Sequence, residues 1–276
     1  MIRGGTGVIA HIGYPTGTFK SPMIYNPWFE REGVDAVVVP MGCRPEHYAA
    51  FLETVFRLTN IRGAIITMPL KIATAGLVDE ISPAARIAGA CNAVRRAPDG
   101  RLQGELFDGE GFVRGARRKG CAIEGARALV VGAGGVGSAI AASLAAAGVA
   151  SLALFDARAG AAEELGRRLA GHYPAVAIST GSNDPHGHDI VVNATPMGMD
   201  PGDPMPMDVA RIAPGAFVGE VVLERELTPF LAAVRARDCR YLAGIDMLFE
   251  QIPAYLEFFG FPAATVETLR SLARLD

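Results

Sequence analysis

A chain of 276 residues with 50% hydrophobic and 20% charged residues is too apolar and too weakly charged for disorder, and size scaling lets it bury about 73% of its unfolded surface. Its 26 Lys+Arg against 29 Asp+Glu give a net charge of −3, so no positive field draws it to nucleic acid or an anionic membrane. Four cysteines without a C-x-x-C spacing, Cys43, Cys91, Cys121 and Cys239, indicate neither a zinc site nor a disulfide framework, and no apolar run is long enough to span a bilayer. A cytoplasmic globular protein is expected.

In chain order, strands are predicted at Gly7 to Ile12, Ala36 to Val39 and Ala64 to Thr67, with helices over Met23 to Glu32 and Pro45 to Asn60. This alternation is the pattern of βαβ units and a mainly parallel sheet. From Ala90 to Phe107 two extended runs flank Pro98-Asp99-Gly100, a turn tripeptide, and predict a hairpin. A second series follows: strand Ala128 to Val131, helix Gly135 to Ala147, strand Leu152 to Phe155, helix Ala161 to Ala170, then strands Val176 to Ile178, Ile190 to Asn193 and Phe217 to Val221. Asp246 to Phe259 and Ala263 to Leu275 close the chain as helices, with Pro253 expected to kink or break the first. The whole reads as α/β in two domains: a Rossmann-type doubly wound parallel sheet and a discontinuous α/β domain.

Gly132-Ala133-Gly134-Gly135-Val136-Gly137 matches G-x-G-x-x-G between an apolar strand and an alanine-rich helix, and Asp156 ends the next apolar run 19 residues on. The first glycine makes the turn, the second admits a pyrophosphate, the third lets helix and strand approach, and the acid accepts the ribose hydroxyls. A dinucleotide site follows. Asp156 repels a 2′-phosphate and so favours NAD over NADP, although Arg158, two residues on, offers a phosphate partner.

Only three lysines occur, Lys20, Lys71 and Lys119, against 23 arginines. A lysine retained in so arginine-rich a chain fits a role that guanidinium cannot fill, such as giving up a proton. Lys71 follows a predicted strand in Thr67-Met68-Pro69-Leu70-Lys71, at the carboxyl end of a sheet, and Asp108 ends the hairpin. Such a pair can shuttle the proton of an alcohol while hydride leaves for NAD.

Together these residues resemble the shikimate and quinate/shikimate dehydrogenase family, and the chain reads as a paralogue within it. The resemblance rests on Lys20-Ser21-Pro22, the Thr67 to Lys71 run, Ala88 to Asn92, Asp108-Gly109, the glycine fingerprint, Asn193 to Gly198, Thr228-Pro229-Phe230, and Gly244 to Leu248 with Gln251. It implies a substrate domain of residues 1–109 plus 245–276, a dinucleotide domain of residues 110–244, and a cleft between them. It also implies a place in aromatic amino acid biosynthesis. By motif position Lys71 and Asp108 become the catalytic pair, and Phe19, Ser21, Thr67, Asn92 and Gln251 the substrate-binding set. Thr195, Val221 and Gly244 line the nicotinamide beside the fingerprint residues, Asp156 and Arg158.

The chain departs from the family at the substrate end. Phe19 and Ile65 replace a serine and an asparagine, Leu106 and Phe107 an asparagine and a threonine, and Leu223 a tyrosine. Each lost polar contact removes about 0.5–1.5 kcal/mol, so the expected substrate is a ring secondary alcohol less polar than shikimate or differently substituted. Ala157 stands where the NADP form carries its clamping arginine, in line with NAD. The alternatives are a quinate or shikimate dehydrogenase proper with a remodelled pocket, and a silent NAD-binding regulator, against which Lys71 and Asp108 speak. The expected partners are a small-molecule substrate and no nucleic acid or membrane, with the chain a monomer or homodimer. His186-Gly187-His188 lacks a third ligand for a metal, and Cys91 reads as a buried filler.

Overall fold

The computed structural model describes residues 1–200, 202–223, 225 and 227–275. They divide into two compact units, Met1–Phe107 with Ile252–Asp276, and Asp108–Gln251. The first unit runs β1 (Gly7–Gly13), α1 (Ser21–Arg31), β2 (Ala36–Gly42), α2 (Pro45–Val55), β3 (Ile61–Ile66), α3 (Lys71–Ala75), β4 (Glu80–Ile81), α4 (Pro83–Ala88), β5 (Ala93–Arg96) and β6 (Leu102–Glu105). The second runs α5 (Asp108–Arg118), β7 (Arg127–Val131), α6 (Gly135–Ala146), β8 (Ser151–Phe155), α7 (Ala161–His172), β9 (Ala177–Thr180), β10 (Ile190–Asn193), β11 (Phe217–Glu220), α8 (Pro229–Arg235) and β12 (Arg240–Leu242). Helix α9 (Gly244–Phe258) carries the chain back to the first unit, which ends in α10 (Val266–Leu272).

The first unit holds a mixed sheet of order β2-β1-β3-β5-β6-β4. Strand β1 pairs parallel with β2 and β3, whereas β5 is antiparallel to both β3 and β6, as a hairpin requires. One face is core: Ala10, Ile12, Ala64, Ile66 and Val94 pack under Tyr48, Leu52, Val55 and Phe56 of the α2 segment. Side chains alternate along a strand, so His11 and Gly13 of β1 and Ile65 of β3, the register partner of His11, face the opposite side. On that side Phe259 packs so close to Gly63 that a Cβ there would overlap its ring.

The second unit holds an all-parallel sheet of order β12-β11-β10-β7-β8-β9. Read from β9, this is the doubly wound order 3-2-1-4-5-6, and its order reverses between β7 and β10, where such sheets bind ligands at the strands' carboxyl ends.

Besides the short elements α3, β4, α4, α8 and β12, which the sequence pattern did not indicate, three features depart from the sequence expectation. Helix α5 was not foreseen, because Gly109, Gly111 and Gly115 lower its propensity. Each is where the backbone must approach something: a Cβ would sit 2.6 Å from Ala139 C at Gly109, 2.8 Å from Met247 O at Gly111 and 2.7 Å from Leu242 Cδ1 at Gly115. Helix α9 runs through Pro253 unbroken, with Phe249, Ile252, Tyr255, Leu256 and Phe259 buried around it. Burial of that scale offsets the roughly 3 kcal/mol that an interior proline costs. The first helix starts at Ser21 and the second ends at Val55, short of the expected Asn60.

Candidate active site

In the first unit the motif residues gather at the carboxyl ends of β1 and β3. Thr67 N donates to Ile12 O at 2.9 Å, Leu70 N to Thr67 O at 3.0 Å, and Cys91 N to Lys71 O at 2.9 Å. The turn carrying Lys71 is thus tied to both neighbouring strand systems. Behind it Thr74 bonds the Leu70 carbonyl at 2.9 Å and the Tyr48 hydroxyl at 2.6 Å, both buried. Lys71 opens α3, half-buried, and Ser21 opens α1, 7% exposed.

Asn92 is fully buried between β3 and β6, its N donating to Glu105 O at 2.9 Å and its O accepting from Ile66 N at 2.7 Å. Its Oδ1 accepts from Phe107 N at 3.0 Å, which fixes the orientation of the amide. Nδ2 is left buried with no hydrogen-bond partner among the described residues. An orphaned buried donor costs about 1–3 kcal/mol, and a substrate hydroxyl would satisfy it. Phe107 lies edge-on to Tyr255 and Phe258, centroids 4.9 and 5.6 Å away, in an aromatic wall beside Asn92.

A residue that the sequence reading passed over stands here as well. His11 is 4% exposed and stacks on Phe19, with ring centroids 4.1 Å apart and planes 25° apart. Burial, and then the positive charge of Lys71, hold its pKa down at about 3, so the imidazole is uncharged. Its Nδ1 has no hydrogen-bond partner among the described residues. The Phe19 ring also leans over Gly13, within 2.9 Å of where a Cβ would stand. The only signal in the sequence was a polar residue inside the apolar run Gly7 to Ile12.

The second unit supplies the nucleotide side. Gly132 (φ 108°) turns the chain out of β7, and a Cβ on it would lie 2.6 Å from Ala194 O. A Cβ on Gly137 would overlap the Gly132 carbonyl. Gly134, the N-cap of α6, has no side-chain cap, and the place its Cβ would take is open. Such an opening at the N-terminus of a 12-residue helix fits a pyrophosphate, with Gly135 and Val136 in its first turn. Asp156 accepts from Ala133 N at 2.7 Å and Arg158 N at 2.8 Å, and pairs with the Arg158 guanidinium through two bonds of 3.0 Å. The guanidinium hydrogen bond, with the two backbone N–H groups, lowers its pKa to about 2.

Beyond β10, Asn193 Oδ1 accepts from Thr195 N at 3.1 Å and Thr195 Oγ1 at 2.6 Å. Its Nδ2 donates to Met197 O at 3.1 Å and to Glu220 Oε1 at 2.8 Å. Glu220 also accepts from the Thr228 hydroxyl and is wholly buried, and that burial raises its pKa. This network shapes the loop bearing Thr195, and Glu220, on the last position of an apolar strand, gave no motif signal. Val221 N donates to Asn193 O at 3.2 Å. Gly244 packs against the Val221–Val222 backbone, where a Cβ would come within 2.9 Å of Val221 C.

The structure therefore brings Phe19, Ser21, Thr67, Lys71 and Asn92 into one unit, and the fingerprint, Asp156, Arg158, Thr195, Val221 and Gly244 into the other. Asp108, 4% exposed at the start of α5, and Gln251, 5% exposed on α9, belong to the second unit. Cys91 is buried, its thiol pushed up to about 12 mainly by that burial. Among the described residues no group of three His, Cys, Asp or Glu is placed to hold a metal ion, and no helix is long and apolar enough to cross a membrane.

Residues 11–94 match the shikimate dehydrogenase substrate binding domain, and residues 116–169, which contain the glycine fingerprint, match the ThiF family. The chain is 35% identical to a shikimate dehydrogenase (NADP(+)) of Acidiphilium cryptum, covering 100% of this chain and 99% of that protein. Among solved structures, shikimate 5-dehydrogenase from Listeria monocytogenes, in complex with shikimate and NAD, superposes with a TM-score of 0.89 at 26% identity, over 98% of this chain and 97% of that one. Quinate dehydrogenase from Corynebacterium glutamicum, in complex with NAD, gives a TM-score of 0.86 at 29% identity, over 97% and 98%. The chain belongs to the shikimate dehydrogenase family, as an oxidoreductase that uses a nicotinamide dinucleotide on a CH–OH group.

Proposed function

We propose that the protein is an NAD-preferring dehydrogenase of a ring secondary alcohol, shikimate- or quinate-like or a less polar analogue. The observation that carries this reading is Asn92, whose oriented, buried and unpartnered Nδ2 asks for a hydroxyl on the unit that bears Lys71. Lys71 serves as general acid/base for the reacting hydroxyl, with Asp108 as the second proton-handling group, and Asn92, Thr67, Ser21 and Gln251 orient the ring. The nicotinamide, when bound, takes or gives the hydride. The preference for NAD rests on Asp156, held by the Ala133 N–H at the end of β8, where the fingerprint's spacing calls for the acid that takes the ribose hydroxyls. The names of curated relatives specify NADP(+), so the support for NAD comes from this chain's own Asp156.

The test is a panel of ring acids, their esters and cyclic alcohols assayed with NAD⁺ and NADP⁺, beside Lys71→Ala. Oxidation with NAD⁺ that is lost in the variant supports the reading. A protein that binds NAD yet turns over none of the panel is a regulator instead.

A further inference from the structure

His11 has no part in the chemistry assigned to Lys71, yet the cluster around it is built with care. Its register partner on β3 is Ile65, Phe19 covers one face of its ring, and Gly13, on the same side of β1, leaves room for that phenyl group. Stacking occupies a face of the imidazole, whereas Nδ1 forms hydrogen bonds in the ring plane, so the two contacts are compatible. Among the described residues no polar group hydrogen-bonds Nδ1. Ordinary core packing would have placed an aliphatic residue here without the penalty of an unmet polar atom. Phe19 ends a segment in which Tyr14, Pro15, Gly17 and Thr18 are exposed.

We propose that His11 is a specificity-determining residue, a buried imidazole that hydrogen-bonds through Nδ1 to a neutral hydroxyl or carbonyl substituent of the substrate ring. The substrate class is then an uncharged cyclic polyol, or its ester, in place of a ring carboxylate. The inference deepens the dehydrogenase reading and rests on it for the identity of the site. Its physical ground is the company of His11: Phe19 and Ile65 are apolar, the imidazole carries no charge, and a carboxylate set among them would be stripped of water without a counter-ion from this wall. The rival cations are Lys71, whose charge reaches His11, and Lys20, next to Phe19 in the chain.

The full-length protein saturated with NAD⁺ is titrated with methyl shikimate and with shikimate, while the histidine ¹⁵N resonances are followed and His11 is assigned by its loss in His11→Asn. Methyl shikimate should bind about tenfold more tightly than shikimate, because its ester carries no charge to be stripped of water, and should shift the His11 Nδ1 signal. His11→Leu should weaken methyl shikimate about tenfold through KM, with kcat within about threefold, and His11→Asn, whose amide reaches the place of Nδ1, should restore it. Equal or tighter binding of shikimate, no binding of methyl shikimate, or an unmoved His11 resonance overturns the proposal. Should His11→Leu fail to fold, the wild-type titration decides alone. If methyl shikimate binds and shifts His11 but no ring alcohol is turned over, the dehydrogenase reading fails while the assignment of His11 stands.

Discussion

Asp156→Asn should nearly abolish the preference for NAD(H), and the structure gives the size of the effect. Both carboxylate oxygens are engaged, Oδ2 by Ala133 N at 2.7 Å and Arg158 Nη2 at 3.0 Å, Oδ1 by Arg158 N at 2.8 Å and Nε at 3.0 Å. These fill the roughly four lone-pair directions a carboxylate offers, so ribose hydroxyls must displace the guanidinium. That displacement is cheap, because the Arg158 side chain is 64% exposed and such a pair contributes at most about 1 kcal/mol. A 2′-phosphate instead brings a like charge to about 5 Å from the carboxylate, which at an effective dielectric of about 20 costs about 3 kcal/mol. Arg158 turned onto the phosphate offsets about 1 kcal/mol of that, and the remaining 2 kcal/mol or so is about a thirtyfold preference for NAD(H). Asparagine keeps an acceptor for Ala133 N but removes the charge, so the ratio should fall below about threefold. Calorimetric titration of NADH and NADPH at low ionic strength, where screening is least, measures both ratios. A wild-type protein that holds NADPH more tightly, or a ratio that Asp156→Asn leaves unchanged, refutes the argument.

Lys71→Ala should lower kcat by about 10²–10⁴-fold while the NADH dissociation constant stays put, and Lys71→Arg should recover little of it, since guanidinium cannot release the proton. Near-normal kcat in Lys71→Ala would make the lysine a mere binding charge. Phe19→Ser combined with Ile65→Asn should raise kcat/KM for shikimate by about tenfold or more; ordinary efficiency of the unaltered protein on shikimate would show these residues to be packing alone. Glu220 has its folded pKa raised above the usual 4.5 by burial, so its penalty is absent below the unfolded value and grows as pH rises through the folded one. Glu220→Gln can keep its contacts to Asn193 and Thr228, and should gain in Tm relative to wild type between pH 4 and pH 7. A scanning-calorimetry gap that instead narrows with rising pH would contradict the assignment of burial as the cause.

The parts of this molecule that could be read in advance are those whose chemistry is local in sequence. Gly132 to Gly137 and Asp156 declare themselves because one turn, one helix start and one strand end must fall in fixed order, and the Ala133 to Asp156 hydrogen bond is that order realised. Lys71 stood out by scarcity among arginines. His11 could not be read, since its meaning comes from Phe19 eight residues on and from the absence of any partner for Nδ1, a property of the packed state alone. Glu220 was hidden likewise, because its partners, Asn193 and Thr228, sit in two other segments. Helix α5 and the unbroken α9 share another cause: tertiary contact overrides the local cost of Gly109, Gly111, Gly115 and Pro253.

The glycines of α5 also set a limit on how this protein can be improved. Replacing helical glycines by alanine is a standard route to greater thermal resistance, gaining up to about 1 kcal/mol each where the methyl group has room. Along α5 that route is closed, because the methyl carbon would collide with Ala139, Met247 or Leu242. Only Gly171 of α7, with nothing within 4 Å of its missing carbon and no left-handed backbone, stays open among these four helical positions. A stabilising programme guided by helix propensity alone would choose α5 first and do the most harm there.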